Sequence, residues 1–309
     1  MTERKNVVRL SPLHNVVFAC IFQDEEKAGP AMLEFLNAVL QHVGEEPIVE
    51  ILSMKSEYSV LGESAEQKYG RLDVRVKAES GRLFDIEVQI EKDYMNERGF
   101  FYGGRLGEDE FRPGMSYDQM PEVRVINLVD FYVRDDHSSI VEPVVLCYQN
   151  SPSEIATQKF KMYHIQLPAF RKKYKTLESV RNDRFFSWLY MLDRGYQDPE
   201  EMEVLSDMTE GLQNFAKRYN YAINDPELIR RYRMIEDGKR DIATRISVAE
   251  RRGEARGEAR GRAEGRAEGI AEGERKTLLR LARTLKNRGY PLNEIAETTG
   301  LSPEEVDAL

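Results

Sequence analysis

The stretch that most constrains this chain is Arg71 to Glu91, RLDVRVKAESGRLFDIEVQIE, in which apolar and polar residues alternate on both sides of a turn. Leu72, Val74 and Val76, then Phe84, Ile86 and Val88, fall at every second position, the period of a strand with one buried face. Glu79-Ser80-Gly81-Arg82 carries turn chemistry between them, so the segment reads as a β-hairpin. In an antiparallel pair the numbers of opposite residues sum to a constant, and matching the two apolar sets requires an even sum, roughly 160 or 162. A three-residue loop with Gly81 in the left-handed conformation satisfies that parity. The same parity sets Asp73 across from Glu87 or Gln89 on the face away from the core, with two carboxylates and an amide within about 5 to 8 Å.

Charged residues on one strand face are in general simply solvated. Like charges set side by side are destabilising, however, unless something cationic lies between them. Hard oxygen ligands from one or two carboxylates, with the rest of the shell left to water and phosphate, describe a Mg2+ site. Two further acids could reach it: Asp24, in the Gln23–Lys27 connection, and Glu34, on a helix predicted over Ala31–Val43 after Gly29-Pro30. Past the hairpin, Tyr94–Gly107 reads as a helix on which Arg98, Tyr102 and Arg105 share a face. That face either covers the sheet or presents two cations and a phenol to phosphate.

Around these segments the pattern is α/β. A helix over Leu13–Phe22 precedes the one after Pro30, and Ile48–Leu52 reads as a short strand. Strands are expected at Val123–Tyr132, Ile140–Tyr148 and Met162–Leu167, with Pro143 placing the second at an edge. From Asp183 the chain turns helical, with segments at Phe185–Asp193, Pro199–Tyr221 and from Asp225-Pro226 onward. The expected organisation is a core over 1–175, a helical region over 176–248, a four-residue repeat over 249–274 and a C-terminal helix with a small helix-turn-helix-like motif over 275–309.

Within the repeat, Gly recurs at 253, 257, 261, 265, 269 and 273 and Ala at 255, 259, 263, 267 and 271. As an isolated helix it is marginal, because each Gly costs about 0.8 to 1 kcal/mol relative to Ala. A helix stabilised by self-association, giving a homo-oligomer, and a partly disordered tether are both open. At the end of the chain Ile295, Gly300, Leu301 and Val306 match helix-turn-helix spacing, but Glu304 and Glu305 open the second helix, so a packing motif fits better than a major-groove reader.

Composition narrows the function classes. A net charge of −9 gives the whole protein no electrostatic case for nucleic acid, which leaves that role to local patches. Cys20 and Cys147 are too few for a disulfide framework, and both sit in apolar runs, so buried thiols in a reducing cytoplasm are expected. His14, His42, His137 and His164 are scattered and do not suggest zinc. Met1–Arg9 is not a signal peptide, and no apolar run approaches membrane-spanning length, so no membrane partner is expected.

The sequence resembles the Rpn-type recombination-promoting nucleases of bacteria, also described as PD-(D/E)XK family putative transposases. The resemblance rests on Phe35–Leu40, Arg71-Leu72-Asp73-Val74, Ile86-Glu87-Val88-Gln89, Tyr102, Gly114, Tyr117 and Val125–Phe131, and extends to the Gly/Glu/Arg-rich repeat and terminal motif. It implies a restriction-endonuclease-like core and metal-dependent DNA cleavage in recombination or transposition, with Mg2+, or Mn2+ in its place, held by Asp73 and Glu87. Gln89 stands at the motif's Lys position and would orient the attacking water, while Tyr102 and Arg98 would contact the scissile phosphate. The substitution also admits a degenerate nuclease core that binds DNA or serves as an oligomeric scaffold, because Gln can orient water but cannot supply charge.

Overall fold

The computed structural model describes residues 9–56, 74–92, 94–134 and 139–309. Two compact units are present, Met1–Met234 and Ile235–Leu309. The first opens with helices α1 (Asn15–Ile21) and α2 (Glu25–His42), followed by strands β1 (Ile51–Ser56), β2 (Val74–Ala78) and β3 (Leu83–Gln89). Helix α3 (Met95–Glu110), strand β4 (Val123–Val129) and strand β5 (Val141–Val145) come next. A small separate hairpin, β6 (Cys147–Tyr148) and β7 (Ser151–Ile155), precedes β8 (Phe160–Gln166). Helices α4 (Leu167–Lys173), α5 (Arg184–Asp193), α6 (Pro199–Ser206) and α7 (Glu210–Ile223) complete the unit.

The main sheet has six strands in the order β1-β2-β3-β4-β8-β5. Its centre, β3-β4-β8, is parallel, and its flanks are antiparallel. The hairpin has the expected register: Val74 faces Ile86 and Val76 faces Phe84, a sum of 160. Ala78 N donates to Arg82 O at 2.9 Å, closing a three-residue loop in which Gly81 takes φ +80. The expected strands after the hairpin are present as β4, β5 and β8, and Pro143 lies on the edge strand β5, where its missing N–H costs no ladder bond.

The expectation of a wet face on the hairpin is overturned. β3 lies inside the sheet between β2 and β4, which pair both its edges, and both its faces are covered by helices: Phe84 and Ile86 are buried on one, and Asp85 and Glu87 on the other. Cover over Asp85 and Glu87 comes from α3, which packs on β3 and β4. Close approach is built into its Gly99, Gly103 and Gly107, which fall one turn apart along α3. A Cβ on Gly103 would stand 2.5 Å from Phe160 Cε2 and 2.7 Å from Val125 Cγ2. Gly103→Ala is therefore expected to lower stability by about 1–3 kcal/mol despite alanine's better helix propensity, through forced displacement of α3. Thermal unfolding would measure it, with Gly104→Ala, where a Cβ meets nothing within 4 Å, as the control.

Two helix boundaries and one burial differ from the sequence pattern. α2 starts at Glu25, before Pro30, because the Asp24 side chain caps it by accepting from Lys27 N at 3.2 Å. The segment read as one helix over Pro199–Tyr221 is broken into α6 and α7, because Thr209 Oγ1 accepts from Leu212 N at 3.2 Å and caps a new start. Cys147 is exposed on the small hairpin rather than buried.

In the second unit the dominant element is α8, a helix over Pro226–Asn287 that begins in the first unit and includes the whole glycine repeat. The repeat is exposed throughout, with nothing within 4 Å of a Cβ placed on any of its glycines. α9 (Leu292–Thr299) and α10 (Pro303–Asp307) follow, joined at Gly300, φ +71. Ala282, Ile295, Leu301 and Val306 form their small core, and Ser302 with Glu305 makes a capping box. No described helix is long and apolar enough to cross a membrane.

Candidate active site

The site is built on the C-terminal half of β3, where the alternation of LFDIEVQ sends Asp85 and Glu87 to the side of the sheet covered by α3. Burying two carboxylates in one strand is costly unless charge and hydrogen bonds compensate. Arg75, directly across from Asp85 on β2, brings Nε to 3.9 Å from its carboxylate. Arg98, from the first turns of α3, brings Nη2 to 3.4 Å from Glu87 Oε2. Asp85 is fully buried and Glu87 is 2% exposed. The result is a desolvated pair of acids with two guanidiniums at the margin of contact.

Of the residues singled out in the sequence, Glu87, Arg98 and Tyr102 come together. The Arg98 guanidinium lies over the Tyr102 ring, 5.6 Å from its centroid, and Tyr102 is buried against the sheet. Gln89 ends β3, half-buried, with Nε2 donating to Glu91 O at 3.0 Å. Arg105 is exposed farther along α3. Asp73, expected opposite Glu87 or Gln89, lies outside the described residues.

Glu34 and Asp24 are engaged elsewhere. Glu34 accepts from Trp188 Nε1 at 3.1 Å, Gly211 N at 3.0 Å and the Thr209 hydroxyl, tying α2 to α5 and α7. Asp24 accepts from Lys27 Nζ at 2.7 Å as well as from its backbone, and these bonds hold its carboxyl below the usual range. Neither is brought to Glu87 by any contact of the described residues.

Four residues of the site escaped the sequence reading: Asp85, Arg75, Asn127 and His164. Across the parallel strands Glu87 stands in register with Asn127 on β4, Asn127 with His164 on β8, and His164 with Glu142 on the edge strand β5. One polar rung thus runs from β3 to the sheet edge beneath α3. Asn127 Nδ2 lies 3.1 Å from His164 Nδ1, and His164 Nε2 lies 2.9 Å from Asn96 Oδ1 on α3. The signal in the sequence was a lone Asn inside the apolar run VRVINLV, since a polar residue at a core position demands partners.

Burial pushes the His164 pKa down to about 4, with Glu142 opposing only in part. The folded protein thus binds a proton less readily than the unfolded chain, whose histidine titrates near about 6.5. The stabilisation this histidine supplies is complete above that value and is lost as pH falls toward 4. Denaturant melts between pH 7.5 and 4.5 are expected to show this decline, and His164→Gln is expected to flatten it.

At the end of β3 and β4 a cavity of about 180 Å3 opens beside Gln89, lined by Val88, Asp130, Arg171 and Asp193 among others. Arg171 bridges the Asp130 and Asp193 carboxylates, with Nε 2.8 Å from Asp193 Oδ1. Hard carboxylate oxygen at Glu87 suits a hard divalent cation in donor chemistry. Among the described residues, no three His, Cys, Asp or Glu side chains form a metal-binding group; Asp73, the other expected ligand, lies outside them.

The family model described as PD-(D/E)XK nuclease family transposase matches residues 12–249 of the chain. No curated protein and no solved structure matches it.

Proposed function

Because the chain belongs to the PD-(D/E)XK nuclease family of transposases, we propose that it is a metal-dependent endonuclease that hydrolyses DNA phosphodiester bonds in recombination or transposition. The observation that carries the reading is Glu87, a carboxylate 2% exposed at the end of an interior strand, inside the family match and beside Arg98. Buried charge of this kind destabilises a fold and is retained where chemistry needs it.

Asp73 and Glu87 would hold Mg2+, or Mn2+ in its place. When bound, such an ion lowers the pKa of water and polarises the phosphate. Gln89 sits two residues beyond Glu87 on the same side of β3 and orients the attacking water through its amide, which can donate and accept but carries no charge. Arg98, poised over Tyr102, lies beside Glu87 and offers N–H donors to a phosphate oxygen. The Tyr102 ring fixes that guanidinium by cation–π contact, and Arg105, exposed along the same helix, meets the DNA backbone. An overall charge of −9 means that DNA contact relies on this local surface.

A plasmid cleavage assay with Mg2+ or Mn2+ tests the reading directly. Nicking that requires the ion and fails in Asp73→Ala supports it; ion-dependent nicking that persists in purified Asp73→Ala sinks it. A second reading, a degenerate core acting as a DNA-binding or scaffold protein, is favoured by Gln89, which carries no charge and whose Nε2 donates one hydrogen bond to Glu91 O. It requires the absence of both turnover and ion binding.

The partner in assembly is a second copy of the chain, met through the glycine repeat of α8. Within the repeat most charged residues four apart have like sign, as in Arg252, Arg256 and Arg260 and again in Glu264, Glu268 and Glu272, which weakens an isolated helix. Opposite charges meet within the helix at the block boundaries, Arg260 Nε with Glu264 Oε1 at 2.6 Å and Arg262 with Glu258. The basic block of one copy complements the acidic block of another, while the small residues admit close backbone approach. Light scattering is expected to give a smaller stoichiometry for a chain ending at Arg251; an unchanged one removes the repeat from assembly.

A further inference from the structure

The polar rung beneath α3 contains a conflict that points to its role. Asn127 is fully buried, and with Nδ2 turned to His164 its Oδ1 meets no donor. Its other in-register neighbour is Glu87, a residue that in its ionised form can only accept. A carbonyl oxygen left without a donor in a dry interior costs about 1–3 kcal/mol. α3 crosses closely here, at Gly99, where a Cβ would stand 3.6 Å from Asn127 Nδ2 and 2.6 Å from Met162 Sδ.

The conflict disappears when the hydrogen-bond chain is polarised the other way. An amide turned by half a rotation exchanges its nitrogen and oxygen within nearly the same volume, and a neutral imidazole exchanges donor and acceptor by changing tautomer. We propose that Asn127 is a positioning residue for Glu87: its Nδ2 donates to the Glu87 carboxylate, its Oδ1 accepts from His164 Nδ1–H, and His164 Nε2 accepts from Asn96 Nδ2. Every buried polar atom of Asn127 and His164 then has a partner, and Glu87 gains a donor on the β4 side in addition to the Arg98 guanidinium. His164 stands two strands from Glu87 and does not touch it; it sets the direction of the amide that does.

The inference rests on the reading of Glu87 as a metal ligand, because the value of a fixed Glu87 is to present its oxygens in one geometry to a cation. Groups that orient a ligand without touching the metal are commonly worth about 10- to 100-fold in metal affinity. Asn96, exposed on α3, closes the chain at the surface, which keeps the imidazole from turning away.

The deciding experiment has two parts. Long-range proton–nitrogen correlation NMR on the full-length protein, with His164 assigned by comparison with His164→Gln, reads the tautomer. The Nδ1–H form is expected, and an Nε2–H or doubly protonated ring overturns the proposal. This measurement needs neither a folded Asn127 variant nor a bound ion. Titration with Mn2+, followed by the loss of its free paramagnetic resonance signal, is then compared among wild type, Asn127→Leu and Glu87→Gln. Asn127→Leu is expected to weaken binding at least threefold; a smaller change overturns the positioning role. Equal Mn2+ affinity in wild type and Glu87→Gln would instead overturn the ligand reading beneath it, an outcome recognisable whatever Asn127→Leu does.

Discussion

Replacing Glu87 by glutamine is expected to reduce Mg2+-dependent DNA cleavage on the order of 10³-fold, the scale of losing one strong electrostatic contributor to a transition state. The substitution preserves shape and volume in a site that is 2% exposed, so it changes charge without opening a cavity. Asp73→Asn is expected to cost about as much. The pair Asp73→Asn with Glu87→Gln should cost little more than either alone, because residues that hold one ion act as a unit. Single-turnover nicking of supercoiled plasmid measures all three, with thermal melting to confirm folding. Additive losses would mean that the two carboxylates serve separate purposes, and retained cleavage in Glu87→Gln would remove β3 from the chemistry.

The second large effect is expected at the opposite end of the same strands and on stability. Glu45 follows α2, past Gly44 at φ +72, and its side chain, 9% exposed, receives Arg124 Nε at 2.7 Å, Lys161 Nζ at 2.8 Å and the Tyr163 hydroxyl. Burial pushes its pKa up, but bonds from Lys161, Tyr163 and Arg124 together outweigh that and leave it below the usual carboxylate range. Glu45→Ala removes the carboxylate shared by Lys161 and Arg124, leaving Arg124 its pair with Glu122 at 2.9 Å, and breaking a buried ion cluster by removing one member costs about 3–5 kcal/mol. In a unit of this size that is a fall in Tm of roughly 10 °C.

The pH dependence carries the same sign as the shift. With its folded pKa lowered, Glu45 contributes fully above the ordinary carboxylate value, and the contribution is lost as pH falls through the folded value. The melts of wild type and Glu45→Ala should differ at pH 7 and draw together as pH is lowered toward 3. Replacing Glu45 and Arg124 together with methionine should recover much of the loss, since a buried pair is commonly exchangeable for packed apolar groups. A Glu45→Ala protein that melts with wild type at pH 7 would show that the cluster is energetically neutral.

Alternation in the hairpin was enough to derive its pairing: matching Val74 with Ile86 and Val76 with Phe84 is a parity argument needing no tertiary information. The later strands were equally legible, since runs such as VRVINLV have few other homes than an interior strand. The breaks at Asp24 and Thr209 were not, because both depend on whether one side chain finds a backbone N–H. Asp85 escaped for a different reason. Beside Glu87 on one strand face it looks like ordinary solvated charge, and only the packing of α3 over β3 and β4 makes it buried.

The chain's own sequence thus determined the hairpin, its register and the acids it carries, because a period of two and a left-handed glycine are local properties of consecutive residues. Tertiary structure alone decided what those acids face. The order β2-β3-β4 paired both edges of the strand, the glycines of α3 let a helix close over it, and the parallel register set Asn127 beside Glu87 and His164 beside Asn127 from segments far along the chain. Contacts of that kind arise only when distant strands pair, and no local period encodes them.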